Sequence, residues 1–278
     1  MPRATTTPGS TYIHGSEPRE QSRLSRLNEI LNVMCVREMS IAPGSRILDV
    51  GSGLGQLTRD MARIAGTRAV GVEREARQIE EGGRQARAAG EQDLLDIRAG
   101  DVAALPLGDD EWGTFDLVHA RFVLEHVIDP QRVVDQMARA VRPGGRVILS
   151  DDDHSLLRLR PEPAGARELW EAYCRAYDRI GCDPYIGTRL TELLVRAGLR
   201  ARRSALLNFG AGAGEAHFPD MVENFVGVVE TARATIVGGG LMEAAAFKGA
   251  CAAVRAWGTR PDAAIWYPLC WAEGDRAR

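Results

Sequence analysis

The chain has 278 residues, a formal net charge of −3 and an isoelectric point near 6.0, with 45% hydrophobic and 26% charged residues. This length accommodates one large domain, or one domain with a substantial elaboration; the composition excludes a disordered chain, and the mild acidity removes the electrostatic case for a nucleic-acid partner. The five cysteines form no C-x-x-C pair, the polar first fifteen residues hold no apolar leader core, and no run of about 20 apolar residues occurs, which points to a cytoplasmic protein without disulfides, structural zinc or a membrane partner.

Residues 1–17, rich in Thr, Pro, Gly and Ser, are expected to form an arm that orders only when something docks on it. From Pro18 onward, Leu24, Leu27, Ile30, Leu31, Met34 and Cys35 recur at spacings of three and four, which predicts an amphipathic helix ending before Pro43-Gly44. Strands are predicted at 46–50, 69–72, 96–99, 115–119 and 147–149. They alternate with helices over 57–65, 75–88 and 130–141, the last stopped by Pro143-Gly144-Gly145. Such alternation implies an α/β fold with a doubly wound, Rossmann-like parallel sheet.

Beyond Asp153 the rhythm changes. Helices are predicted over 164–180 and 188–197, then a strand over 201–209. A glycine-rich stretch at 210–214 opens a mostly helical segment that runs to Trp257, and a last strand is expected over 263–267 before a charged tail. The expected division is an arm and helix over 1–42, a cofactor-binding core over 43–155, and an elaboration of the same domain over 156–278.

The strongest local pattern is Asp49-Val50-Gly51-Ser52-Gly53-Leu54-Gly55-Gln56, a strand running into a glycine loop and then a helix. Glycines there adopt positive φ and let backbone approach a ligand closely. A dinucleotide loop requires glycine where Gln56 stands, so the spacing favours a ligand without a diphosphate. Glu73, at the end of the second strand and followed by Arg74, is placed to accept the two hydroxyls of a ribose. Alone, it would read as a solvated acid.

With its acid two residues before G-x-G-x-G, the sequence resembles the class I S-adenosylmethionine-dependent methyltransferases, by motif over about 12–154. The resemblance implies a seven-stranded sheet whose last strand inserts antiparallel, a helical amino-terminal arm, a helical lid insertion, and S-adenosyl-L-methionine as cofactor. Implied cofactor contacts are Asp49, Gly51, Ser52, Gly53, Gly55, Glu73 and Arg74, then Asp101 and Val102 at the adenine, with Arg121 after the fourth strand. Asp101 has an alternative reading as a helix N-cap. In the arm, Tyr12 and Arg23 match residues that fold over the cofactor, where a ring face suits a sulfonium.

The implied reaction is in-line methyl transfer to O, N or C of a small-molecule acceptor, of the kind met in natural product biosynthesis. For an acceptor that must lose a proton, His14, His126 and His154 are the candidate bases. His126 reads equally as a packed or capping residue. Asp151, Asp152 and Asp153 form a cluster of hard oxygens, but Arg121 stands where metal-dependent relatives carry an acid, so no metal is expected. Acceptor choice is expected in 160–186 and 211–246, with Tyr173, Tyr177, Tyr185, Phe218 and Phe225 as lining candidates. A homodimer is compatible with this layout. Two alternatives remain open: a protein of this fold that binds the cofactor without transferring methyl, or regulates a partner, and a nicotinamide-dependent oxidoreductase, which Gln56 disfavours.

Overall fold

The computed structural model describes residues 18–278. Tyr12 and His14 lie outside the described residues, as does the side chain of Arg23. The first described element is helix α1 (Pro18–Met39), which buries Leu31, Cys35 and Met39 at four-residue spacing. Strand β1 (Ile47–Val50) follows and is buried along its whole length, as expected of a strand covered on both faces. Ile47 joins the apolar layer under α1, whereas Leu48 joins the opposite layer, the two-residue alternation of a pleated strand.

The remaining elements of the first half are α2 (Gln56–Ala65), β2 (Ala69–Glu73), α3 (Ala76–Ala88), β3 (Leu95–Ala99), β4 (Phe115–Arg121), α4 (Pro130–Ala140) and β5 (Val141–Asp152). Helix α4 starts cleanly because Asp129 accepts the Arg132 N–H at 3.0 Å and Pro130 occupies the first turn. The second half adds β6 (Arg158–Arg160), α5 (Ala166–Asp178), α6 (Leu190–Arg196), β7 (Arg200–Asn208), β8 (Ala211–Gly212), α7 (Phe218–Thr231), α8 (Arg233–Gly238), α9 (Ala244–Trp257), β9 (Ala264–Trp266) and β10 (Pro268–Asp275).

Seven strands form one sheet in the order β3-β2-β1-β4-β5-β10-β7, parallel except for β10, which runs antiparallel to both neighbours. Strand order reverses between β1 and β4, the place where open α/β sheets leave a crevice at the carboxyl ends of their strands. Helices α7, α8 and α9 are inserted between β8 and β9 and pack on α1 and α5. No helix among the described residues is long and apolar enough to cross a membrane.

One expected strand is placed differently. Residues 264–266 pair with β6 and β8 in a small separate sheet, and the closing antiparallel strand of the main sheet is Pro268–Asp275, the stretch that reads as a charged tail. Its acid Glu273 is only 3% exposed, but it accepts the Trp271 indole N–H at 3.0 Å and pairs with Arg146 at 3.2 Å. Those partners make a buried carboxylate tolerable in a central strand.

Candidate active site

The crevice at the β1/β4 reversal is a cavity of about 440 Å³. At its floor Asp49 stands opposite His119 in the β1/β4 register, and Asp49 Oδ1 lies 2.9 Å from His119 Nδ1. Asp49 Oδ2 accepts the Thr58 hydroxyl at 2.5 Å, so the acid is held from β4 and α2 at once. The chain then turns at Gly51, with φ 73°, and Gly53, with φ 55°. A Cβ on Gly51 would collide with the Val123 side chain. The N–H groups of Gly51 and Ser52 both donate to Val72 O at 2.9 Å, which clips the loop to β2.

Glu73 closes the next wall. Its carboxylate accepts Gly53 N–H at 3.0 Å, Arg74 N–H at 2.7 Å and Glu75 N–H at 2.8 Å. Burial pushes its pKa up against the pull of those three donors. Asp101 lies in a tight turn, accepting Ala103 N–H at 2.8 Å, with a bridge to Ala104. No helix starts there, so the N-cap alternative is withdrawn: the aspartate closes a turn. Val102 lies beside it on the same wall, as does Arg74.

Arg121, at the end of β4, reaches across to α1. Its guanidinium donates to Asn28 Oδ1 at 2.8 Å and Asn32 Oδ1 at 2.9 Å. Both asparagines were missed by sequence reasoning, although polar residues four apart beside an apolar helical stripe are a readable signal. Phe122 follows with φ 54°, a left-handed conformation that costs a non-glycine residue about 1–3 kcal/mol. The bend aims Val123 and Leu124 N–H groups at Asp151 Oδ2, at 3.1 and 2.8 Å.

Of the expected residues, Asp49, Gly51, Ser52, Gly53, Glu73, Arg74, Asp101, Val102, Arg121 and His126 line this one cavity. Gly55 does not. It lies where a Cβ would sit 2.9 Å from Leu95 and 3.2 Å from Ile97, so it lets the start of α2 approach β3. His154 also lies elsewhere, buried 3.3 Å from the Tyr177 hydroxyl and 3.2 Å from Glu125 Oε2. It borders a second cavity of about 460 Å³, whose walls include Trp170, Cys174, Tyr185 and Phe225.

Trp170 and Phe225 stack at 5.1 Å there. Tyr173, Tyr177 and Phe218, also expected to line an acceptor pocket, are instead fully buried core residues. The three aspartates diverge: Asp151 faces the 123–124 turn, Asp152 accepts the Tyr267 hydroxyl at 2.6 Å, and Asp153 accepts Thr188 at 2.8 Å. Among the described residues no group of three His, Cys, Asp or Glu is arranged to hold a metal.

A family model described as a methyltransferase domain matches residues 26–204, more than half of the chain. The chain is 29% identical over 149 residues to methyltransferase GfsG of Streptomyces halstedii, covering 54% of this chain and 52% of that one. It is 31% identical over 157 residues to 27-O-demethylrifamycin SV methyltransferase of Amycolatopsis mediterranei, covering 56% and 55%. The matched part thus spans about half the length of these relatives. Among solved structures, that of the [4+2]-cyclase SpnF is similar with a TM-score of 0.56 at 21% identity, covering 89% of this chain and 81% of that one, a likeness of fold.

Proposed function

Because the chain belongs to the class I S-adenosylmethionine-dependent methyltransferase family, we propose that its cleft binds S-adenosyl-L-methionine and that the protein methylates a hydroxyl of a small molecule, in the cytoplasm and within natural product biosynthesis. The single observation that carries this reading is the cradle at Gly51 to Gly53, closed by Glu73. There a Cβ on Gly51 would collide with the Val123 side chain, so glycine alone fits the turn, and the Glu73 carboxylate and the Gly53 backbone meet on the same cleft wall. Backbone bared by glycine beside a carboxylate is a donor and acceptor set that suits a polar ligand. The name of the rifamycin relative supports an oxygen acceptor and a natural product.

In this reading Glu73 holds the ribose hydroxyls, Asp101 and the Val102 N–H hold the adenine edge, and the glycine loop with Arg121 holds the amino-acid end. When bound, the cofactor supplies an electrophilic methyl group on a sulfonium. The residues after β4 position the acceptor, and most of the acceleration comes from holding its oxygen in line at about 3–3.5 Å from that carbon. His126 takes the hydroxyl proton: burial pushes its pKa down, which keeps the imidazole neutral and able to act as a base. The second cavity lies on the segments expected to choose the acceptor, with Trp170, Tyr185 and Phe225 as its aromatic walls.

Calorimetric titration with S-adenosylmethionine tests the cleft. Wild type binds, and Gly53→Arg does not. Equal binding by both, or none by wild type, sinks the reading. Detection of S-adenosylhomocysteine after incubation with candidate hydroxyl compounds then separates methyl transfer from a non-methylating reaction on the same fold.

A further inference from the structure

Behind the cleft lies a carboxylate shared by two histidines. His126, on the cleft wall, places Nε2 3.5 Å from Glu125 Oε1. His154, on the far side, places Nε2 3.2 Å from Glu125 Oε2. Glu125, His126 and His154 are all buried. Tyr177 donates to Glu125 Oε2 at 2.9 Å and its ring stacks on His126 at 5.9 Å, so the carboxylate is fixed between the two rings.

One buried carboxylate offsets one buried imidazolium. A second proton on this group would leave an uncompensated positive charge in a desolvated site, which is strongly disfavoured. The two histidines therefore compete for one proton, and their surroundings decide the winner. His154 is closer to the carboxylate, its Nδ1 lies 2.9 Å from the Tyr267 hydroxyl, and that hydroxyl donates to Asp152. Asp152 and Asp153 add negative potential at His154, whereas Arg74 and His154 itself add positive potential at His126.

We propose that His154 is a positioning residue for His126: it occupies the carboxylate of Glu125 with its own proton and so keeps His126 the unprotonated partner that receives the acceptor's proton. The inference deepens the methyl-transfer reading of the cleft and rests on it for what His126 does. The step balances. The acceptor O–H bond breaks to His126, its electron pair forms the O–CH3 bond, and the S–CH3 bond breaks to leave a neutral thioether. One positive charge disappears at sulfur as one appears on His126, so the total charge of the cleft and the buried group together is unchanged, and the second proton that the pair disfavours is held on His126 only until it passes to solvent.

The electrostatics agree with the geometry. Burial pushes both histidines down; at His154 the Glu125 carboxylate together with Asp152 and Asp153 outweighs it and the pKa rises, whereas at His126 burial wins. Burial also works to raise Glu125, but the imidazole charge beside it and the hydrogen bonds from His154 and Tyr177 overcome it and hold the carboxylate low. From β5, Asp151 and Asp152 face the same group and are pushed up by burial, with Glu125 adding to the rise. From α5, Tyr177 is pushed up, as is Cys174, and Cys182 after the helix follows them.

The test needs no acceptor. Nitrogen-15 NMR of labelled histidine is followed from pH 5 to pH 9 in the full chain, with assignments from single His→Gln variants. In wild type His154 is charged and His126 neutral at pH 7. In His154→Gln the proton moves, and the His126 midpoint rises by at least one unit, a tenfold gain in proton affinity. In Glu125→Gln both rings are neutral at pH 7. A charged His126 in wild type, or a His126 midpoint unmoved in folded His154→Gln, overturns the proposal. Calorimetry with S-adenosylhomocysteine on the same samples keeps the two questions apart, because absent binding condemns the cleft reading while the titration still decides how the proton is shared.

Discussion

Gly53 N–H donates to Glu73 Oε2 at 3.0 Å, across twenty residues of chain. The glycine loop after β1 and the end of β2 are therefore one unit, and a ligand held by one is held by both. Glu73→Ala should weaken S-adenosylmethionine binding about tenfold to a hundredfold, the size of losing charge-assisted hydrogen bonds of about 1.5–3 kcal/mol. Calorimetry measures it, and an unchanged Kd would remove Glu73 from the site.

The same carboxylate gives a pH dependence with a definite sign. Burial raises its pKa, so it takes up a proton at higher pH than an ordinary glutamate. Binding that needs the ionised form weakens as pH falls through that raised value, before exposed carboxylates near about 4.3 begin to titrate. A binding curve flat down to pH 4.5 would contradict this. In the unliganded fold the raised pKa works the other way, stabilising the protein as pH falls through it.

Asp49 sits between His119 and Thr58 with 3% exposure. Asp49→Ala leaves both partners buried without it, and a buried donor left unsatisfied costs about 1–3 kcal/mol of folding stability. Urea denaturation followed by circular dichroism should show the midpoint fall with little change in slope. A loss under about 1 kcal/mol would mean that the pair is not made in solution.

Arg121 ties α1 to the end of β4 through two asparagine carbonyls. Both bonds leave from Nη2 while Nη1 reaches Cys35 Sγ at 3.5 Å, a set of contacts that the ammonium of a lysine does not reproduce. Arg121→Lys should therefore loosen α1 by about 1–2 kcal/mol, seen as roughly tenfold faster amide exchange over residues 31–39. Exchange in β1 serves as the internal control and should not change.

Ser40, exposed just after α1, holds φ 46° without being glycine. Ser40→Gly removes that strain and should stabilise the fold by about 0.5–1 kcal/mol, since the left-handed region costs other residues about 1–2 kcal/mol and glycine gives part of it back in chain entropy. Chemical denaturation reads the sign directly, and a destabilised variant would refute it.

That Asp49, Gly51, Gly53, Glu73 and Asp101 share one cleft wall was legible because the pattern that brings them together is local. Asp49 through Gly53 is one contiguous stretch from the end of β1 into its turn, Glu73 ends β2, and Asp101 follows β3 by two residues, so each has a readable place in the alternation. What escaped depends on partners far along the chain. Strand β10 reads as a tail because Glu273 and Asp275 look like surface acids until Arg146, Arg203 and Arg200 come alongside. The three histidines could not be ranked, because only the fold sets His126 on the cleft and turns His154 away to share Glu125. Gly55 stands in the motif like its neighbours, and only the packing of Leu95 and Ile97 shows that it serves the helix.

The antiparallel insertion of β10 between β5 and β7 has a consequence for synthesis on the ribosome. More than a hundred residues separate the end of β5 from the start of β10. At about 5–20 residues per second, β5 waits on the order of ten seconds with one row of backbone donors and acceptors unclaimed. In that interval β3, β2, β1, β4 and β5 already constitute the half that carries the glycine loop and Glu73. A nascent chain thus presents the cleft before its sheet is finished, and a ligand bound there early would guard the exposed edge against mispairing until the last strand arrives.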